Sequence, residues 1–69
     1  MNPRHARLFS AIVAHISDKG YAPTIRKLIE LTDYTSTSMV SYALQRLRAA
    51  GWIDYVDGES RTITLEEKG

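Results

Sequence analysis

The hydrophobic period of this chain changes once, at Gly51, and that single change limits the folds open to it. Before Gly51 the large apolar residues recur at helical spacing. After it they alternate, so a set of helices must hand over to a short β-structure. Leu8, Phe9, Ile12, Val13 and Ile16 share one helical face, which predicts an amphipathic helix over residues 4–18. Asn2 and Pro3 supply a capping side chain and a first-turn proline. Gly20 stands where a left-handed terminal cap belongs, and Pro23 forbids continuation.

Thr24 is the next N-cap, and Ile25, Leu28, Ile29 and Thr32 trace the stripe of a short second helix that ends near Leu31. Residues 32–38 form a hydroxyl-rich cluster able to stop one helix and cap the next. Val40, Ala43, Leu44 and Leu47 then define the inner face of a third helix over residues 37–50, closed by Gly51. Ile53 and Tyr55, then Ile63 and Leu65, alternate with polar residues as two half-buried strands, joined by a turn at Asp57, Gly58, Glu59 and Ser60. Tyr21 and Trp52 read as covers over the core, and residues 66–69 are expected to fray.

A chain of 69 residues builds one core and one domain, residues 1–69. Its longest apolar run covers residues 11–14, far short of the ~20 residues that span a bilayer, so no membrane partner is expected. With no cysteine and no cleavable leader pattern, a cytoplasmic location is expected. The net charge of +1 hides a polarised distribution: residues 1–53 carry +4 and residues 54–69 carry −3, so the early part can face an anion.

The fold class expected is mainly α (α+β): a three-helix winged helix-turn-helix with a C-terminal two-stranded β-hairpin wing. Its third helix is shaped to enter a DNA major groove. At about 100° per residue, with Val40 inward, Ser38, Tyr42 and Gln45 point away from the core and Met39 and Ser41 flank them. Ser and Gln carry donors and acceptors that read base edges, while Tyr42 and Met39 suit a thymine methyl. The N-terminal half of this face carries almost no charge, where an ordinary solvent-exposed helix would carry Glu and Lys, which favours contact over mere solvation. The competing account makes the hydroxyl residues a capping cluster and Tyr42 an ordinary surface aromatic.

Arg46 and Arg48 near the end of the third helix, and Arg26 and Lys27 at the start of the second, are candidate phosphate contacts; each taken singly is as readily a solvated cation. Arg61 on the wing can reach phosphate or a narrow minor groove, although acidic Asp57 and Glu59 lie beside it. His5 and His15 have no carboxylates at ligand spacing, so no metal is expected. Without a phosphate loop, glycine-flanked nucleophile or paired acids, neither a cofactor nor an enzymatic activity is expected.

Phe9, His15-Ile16-Ser17, Gly20 with Pro23-Thr24, Leu44 with Leu47, Gly51 with Ile53, and Val56-Asp57-Gly58-Glu59-Ser60-Arg61 leading to Ile63 and Leu65 together resemble the N-terminal DNA-binding domain of LexA-type repressors. The likeness covers nearly the whole chain. Its more specific pieces are the Pro-Thr step before a short helix and the Gly-x-Ser-Arg wing. The resemblance implies operator binding as a dimer, with the third helix in the major groove and the wing, including Gly58, Ser60 and Arg61, near the backbone or minor groove. It implies base-contacting positions at Ser36, Ser38, Met39, Ser41 and Tyr42.

There are departures. Where that family has an asparagine and two glutamates, this chain has Ser38, Ser41 and Tyr42, so the family's operator sequence does not carry over to it. Thr32-Asp33 replaces a leucine-glycine turn, which implies a similar connection differently capped. The family's self-cleaving, dimerising C-terminal domain is not in these residues, so the chain is either an excised domain or a stand-alone regulator, expected to be monomeric in dilute solution and to pair on adjacent half-sites. The leading expectation is a sequence-specific double-stranded DNA-binding regulator, most simply a repressor. Its alternatives are a winged-helix protein-interaction module, such as an anti-repressor or adaptor with a protein partner, and a DNA-binding replication or excision accessory protein.

Overall fold

The computed structural model describes residues 2–56 and 59–66. Three helices, α1 (Pro3–Lys19), α2 (Ile25–Leu31) and α3 (Thr37–Ala49), are followed by strands β1 (Ile53–Val56) and β2 (Glu59–Leu65), which pair antiparallel. This is the winged helix-turn-helix expected from the change of period.

Each helix begins on a side chain that accepts an otherwise unpaired backbone N–H. Arg4 N–H donates to Asn2 Oδ1 at 2.8 Å, Lys27 N–H to Thr24 Oγ1 at 3.1 Å, and Met39 N–H to Ser36 Oγ at 3.2 Å. α1 closes where Gly20, at φ 83°, donates to the Ile16 carbonyl. α3 closes by two nested bonds, Gly51 N–H to Arg48 O and Trp52 N–H to Leu47 O, both 3.0 Å, with Gly51 at φ 87°. That pattern needs a residue tolerant of the left-handed region and swings the chain directly into β1.

The stop after α2 uses a different device. Thr32 leaves the helix in an extended conformation, and its hydroxyl donates to the Leu28 carbonyl at 2.6 Å while accepting from Tyr34 N–H at 3.3 Å. One threonine thus satisfies an orphan carbonyl and shapes the turn, which is the different capping that Thr32-Asp33 implied. The turn holds a second element that a count of hydroxyls passes over: Tyr34, only 4% exposed, is part of the core.

Leu8 and Ile12 of α1, Leu28 of α2, Val40, Ala43, Leu44 and Leu47 of α3, and Ile53 and Ile63 of the hairpin form that core. Trp52 packs over it, its ring centroid 5.5 Å from that of Phe9, as expected of a cover. Tyr21 does not. It is 61% exposed, because the reversal at Gly20 turns it outward and gives the inner positions to Ala22 and Pro23. Leu65 is likewise 42% exposed, standing opposite Ile53 at the end of a two-stranded ladder with no third strand to cover it.

The hairpin also departs from the expected four-residue turn. Val56 pairs with Glu59, so Glu59 and Ser60 belong to β2, and only Asp57 and Gly58, which lie outside the described residues, join the strands. An Asp-Gly pair suits a two-residue connection. The register shifts between Asp54 and Val56, and there Val56 N–H donates to the Thr62 hydroxyl at 2.7 Å in place of a backbone partner. Glu66, placed in the fraying tail by sequence, is held by its N–H to the Trp52 carbonyl at 3.0 Å; residues 67–69 lie outside the described ones.

A Cβ at Gly51 would meet no neighbouring atom, so only the backbone conformation opposes substitution there. Gly51→Ala should therefore cost about 1–2 kcal/mol, the strain of a left-handed residue with a side chain. Gly51→Asn should cost less, as read from urea unfolding midpoints.

Candidate nucleic-acid interface

The burial of Val40, Ala43, Leu44 and Leu47 fixes the rotation of α3, and with it which side chains face out. Ser38, Met39, Tyr42, Gln45 and Arg46 are exposed and Ser41 is half-buried. Tyr42 is 60% exposed, a large apolar ring held in water beside hydroxyl and amide groups. Ser36, included among the expected base contacts by resemblance, stands differently: its hydroxyl is engaged in capping α3. Met39 sulfur accepts from the Thr35 hydroxyl at 3.7 Å, which links the start of the helix to the turn before it.

The cationic candidates separate on inspection of their partners. Arg26 and Arg46 are exposed. Lys27 stands 3.8 Å from the Glu30 carboxylate, an exposed pair of little energetic weight that nonetheless competes for the ammonium. Arg48 does not extend to solvent as a phosphate arm would. Its guanidinium lies 4.3 Å from the Tyr55 ring centroid, and Nη1–H donates to the Tyr55 carbonyl at 3.1 Å. It braces β1 against the end of α3. The candidates of the wing are less defined: Gly58 lies outside the described residues, and Ser60 and Arg61 are placed on β2 by backbone alone, their side chains being outside what is described.

The start of α1 joins this surface, which sequence reading missed. His5 meets Tyr42 edge-on, with ring centroids 6.4 Å apart. Asn2, Arg4 and His5 line a cleft with Tyr34, Met39 and Tyr42, and a neighbouring cleft runs from Asn2 and His5 past Tyr42 to Arg46 and Trp52. The helical phase of α3 showed that Tyr42 faces outward, but no local pattern says which helix end lies beside it. His15 belongs elsewhere: it is buried, and its Nδ1–H, in the tautomer the geometry requires, donates to the Tyr21 carbonyl at 2.9 Å. Among the described residues no group of three or more His, Asp or Glu side chains is arranged to hold a metal ion, and no helix is long and apolar enough to cross a membrane.

A helical face rich in neutral hydrogen-bonding groups, set on a three-helix and hairpin scaffold, is the arrangement by which such folds read duplex DNA. The family model for the LexA DNA binding domain matches residues 1–62. The chain belongs to that family.

The transcription regulator LexA of Synechocystis sp. is similar to it, with 33% identity over 84% of this chain and 29% of the relative. The LexA repressor of Clostridium kluyveri is 34% identical over 97% of this chain and 33% of its own length. That of Herpetosiphon aurantiacus is 35% identical over 94% of this chain and 30% of its own. The chain thus spans about a third of the length of these curated relatives. The part shared is the DNA-binding domain of the LexA family.

Within this LexA-type domain, burial pushes the Tyr34 phenol above its ordinary value of 10.0; Arg4 pulls the other way, Asp33 adds to the rise and Arg7 opposes it. Below that value the phenol is neutral whether the chain is folded or not. As pH rises past it, the unfolded chain loses its Tyr34 proton first, so folding stability should fall until the native phenol ionises as well. Urea midpoints taken between about pH 9 and 11 should decline more steeply for the wild-type chain than for Tyr34→Phe, and parallel curves would show that the shift is absent.

Proposed function

We propose that this LexA-type chain is a sequence-specific double-stranded DNA-binding module of a transcription regulator, acting as a repressor by occupying its operator in the cytoplasm, with no chemistry performed. In this reading α3 enters the major groove, and Ser38, Met39, Tyr42 and Gln45, with Ser41 at the edge, face the bases. Arg26 and Arg46 contact phosphates, and the hairpin lies against the backbone or the minor groove. Ser36 and Arg48 act indirectly, the first by fixing the start of α3 and the second by holding the hairpin.

The observation that carries the proposal is the outer face of α3: exposed Ser38, Met39, Tyr42 and Gln45, with neither acid nor lysine on the helix, in a chain of a DNA-binding family. An anion as dense as DNA would repel the acidic residues that ordinary surface helices carry. Two copies on adjacent half-sites would follow from the twofold arrangement usual for such folds. The operator differs from those read by an asparagine and two glutamates, because Ser38, Ser41 and Tyr42 offer different hydrogen bonds and shape.

Tyr42→Ala should cost about 1–3 kcal/mol on the preferred duplex and relax the preference, while scarcely altering binding to random sequence. Arg46→Ala should weaken both duplexes alike and flatten the slope of log K against log salt by about 1. Fluorescence anisotropy against a duplex selected from a randomised pool checks both. Binding that is weak and indifferent to sequence would instead favour a protein partner docking on the same Met39 and Tyr42, the role of an adaptor or anti-repressor.

A further inference from the structure

The Tyr34 hydroxyl is a buried polar atom with no hydrogen-bond partner in the structure, although the residue is only 4% exposed. Nine in ten or more of such groups are satisfied in folded proteins, so an orphan invites a search for the partner it lacks. Tyr34 lines the cleft between the start of α1 and α3, with Asn2, Arg4, His5, Met39 and Tyr42 around it. The balance of charge at this place favours an anion, although Asp33, 3.8 Å from Arg7, opposes it. α1 is 17 residues long and presents its electropositive end here, its first turn carries no acidic residue, and Arg4 and His5 project from that turn. The Arg4 guanidinium lies 5.8 Å from the Tyr34 ring centroid and has no carboxylate partner among the described residues.

We propose that this cleft binds one backbone phosphate of duplex DNA, Arg4 and the first turn of α1 supplying the positive field and the Tyr34 hydroxyl donating the hydrogen bond left unmade in the free protein. The proposal rests on the DNA-binding reading above. The cleft shares Met39 and Tyr42 with the outer face of α3, so the phosphate is one flanking the groove that α3 enters. Exposed Arg4 moves from the tyrosine ring onto a phosphate oxygen, which opens the hydroxyl to a second oxygen. A tyrosine in the turn then does two things: its ring closes the core, and its hydroxyl fixes the register of the protein on the backbone without reading sequence.

The test uses the whole chain and two labelled duplexes, one selected by the wild-type protein from a randomised pool and one of random sequence, titrated by anisotropy over a range of salt. Tyr34→Phe should unfold at the wild-type temperature or above it, since it removes an unsatisfied group, yet bind both duplexes about 3- to 10-fold more weakly. Arg4→Gln should lower the salt slope by about 1 on both, and Tyr34→Phe should cost less in its presence. Wild-type affinity in both variants would overturn the phosphate site and leave the DNA-binding reading standing. A loss confined to the selected duplex would overturn it by making Tyr34 a reader of bases. A wild-type chain that binds neither duplex would overturn both proposals. Because Arg4 is exposed, its variant decides the matter even if Tyr34→Phe fails to fold.

Discussion

The burial of one stripe of α3 governs the molecule. Val40, Ala43, Leu44 and Leu47 interlock with Leu8 and Ile12 of α1, Leu28 of α2 and the hairpin residues Ile53 and Ile63. A fully buried aliphatic side chain contributes about 1.5–3 kcal/mol, so rotating α3 by one residue would forfeit several such terms in a domain whose net stability is small. The inner stripe therefore fixes the outer one. Ser38, Met39, Tyr42 and Gln45 owe their common direction to residues that never touch a partner. In the proposed reading, sequence preference would be exposed to core mutations for the same reason: a cavity that lets α3 roll would move every candidate base contact together.

Besides the burial of Ile53 and Ile63, two polar contacts hold the hairpin to this frame, and both begin at the end of α3. The nested bonds around Gly51 set the direction in which the chain leaves, and Arg48 grips Tyr55 by its ring and its carbonyl. Leu47, Arg48, Gly51 and Trp52 thus join α3 to the hairpin. With only two strands, the sheet cannot hold its own orientation, since an isolated hairpin is marginally stable in water. A cation on α3 consequently contributes to the wing's placement without contacting anything outside the protein.

Most of what local chemistry decides was legible in the sequence, the length of the hairpin turn excepted. Asn2, Thr24 and Ser36 neighbour the N–H groups they cap, and Gly20 and Gly51 are required by backbone angles at their own positions. The phase of α3 followed from apolar spacing alone, and so did the outer face. What else failed was tertiary in origin. Tyr34 sits in a run of hydroxyl residues and looks like turn, yet it is buried in the core cluster that all three helices build; Tyr21 and Leu65 look like core residues but stand largely exposed. Arg48 looks like Arg46 in sequence, and only the position of Tyr55 seven residues later separates a brace from a solvated arm. The start of α1 entered the site for the same reason, through its contact with a helix far along the chain.

Charge sets how the interface must divide its work. Arg7 pairs with Asp33, Lys27 with Glu30, and Arg48 with β1, which leaves Arg4, Arg26 and Arg46 as exposed guanidiniums with no carboxylate partner among the described residues of the helices. Each phosphate neutralised adds only about −0.9 to the salt slope, so one copy of this domain draws little non-specific affinity from counterion release. A larger share of binding must then come from the neutral face of α3, where contacts depend on the base presented. Low charge in this setting weakens specific and non-specific binding alike and leaves their ratio to the neutral face of α3. In the proposed reading, two copies on adjacent half-sites would restore the lost affinity through effective concentration and multiply the preference of each. A near-neutral module of this kind is therefore better suited to pairing on its target than to acting singly.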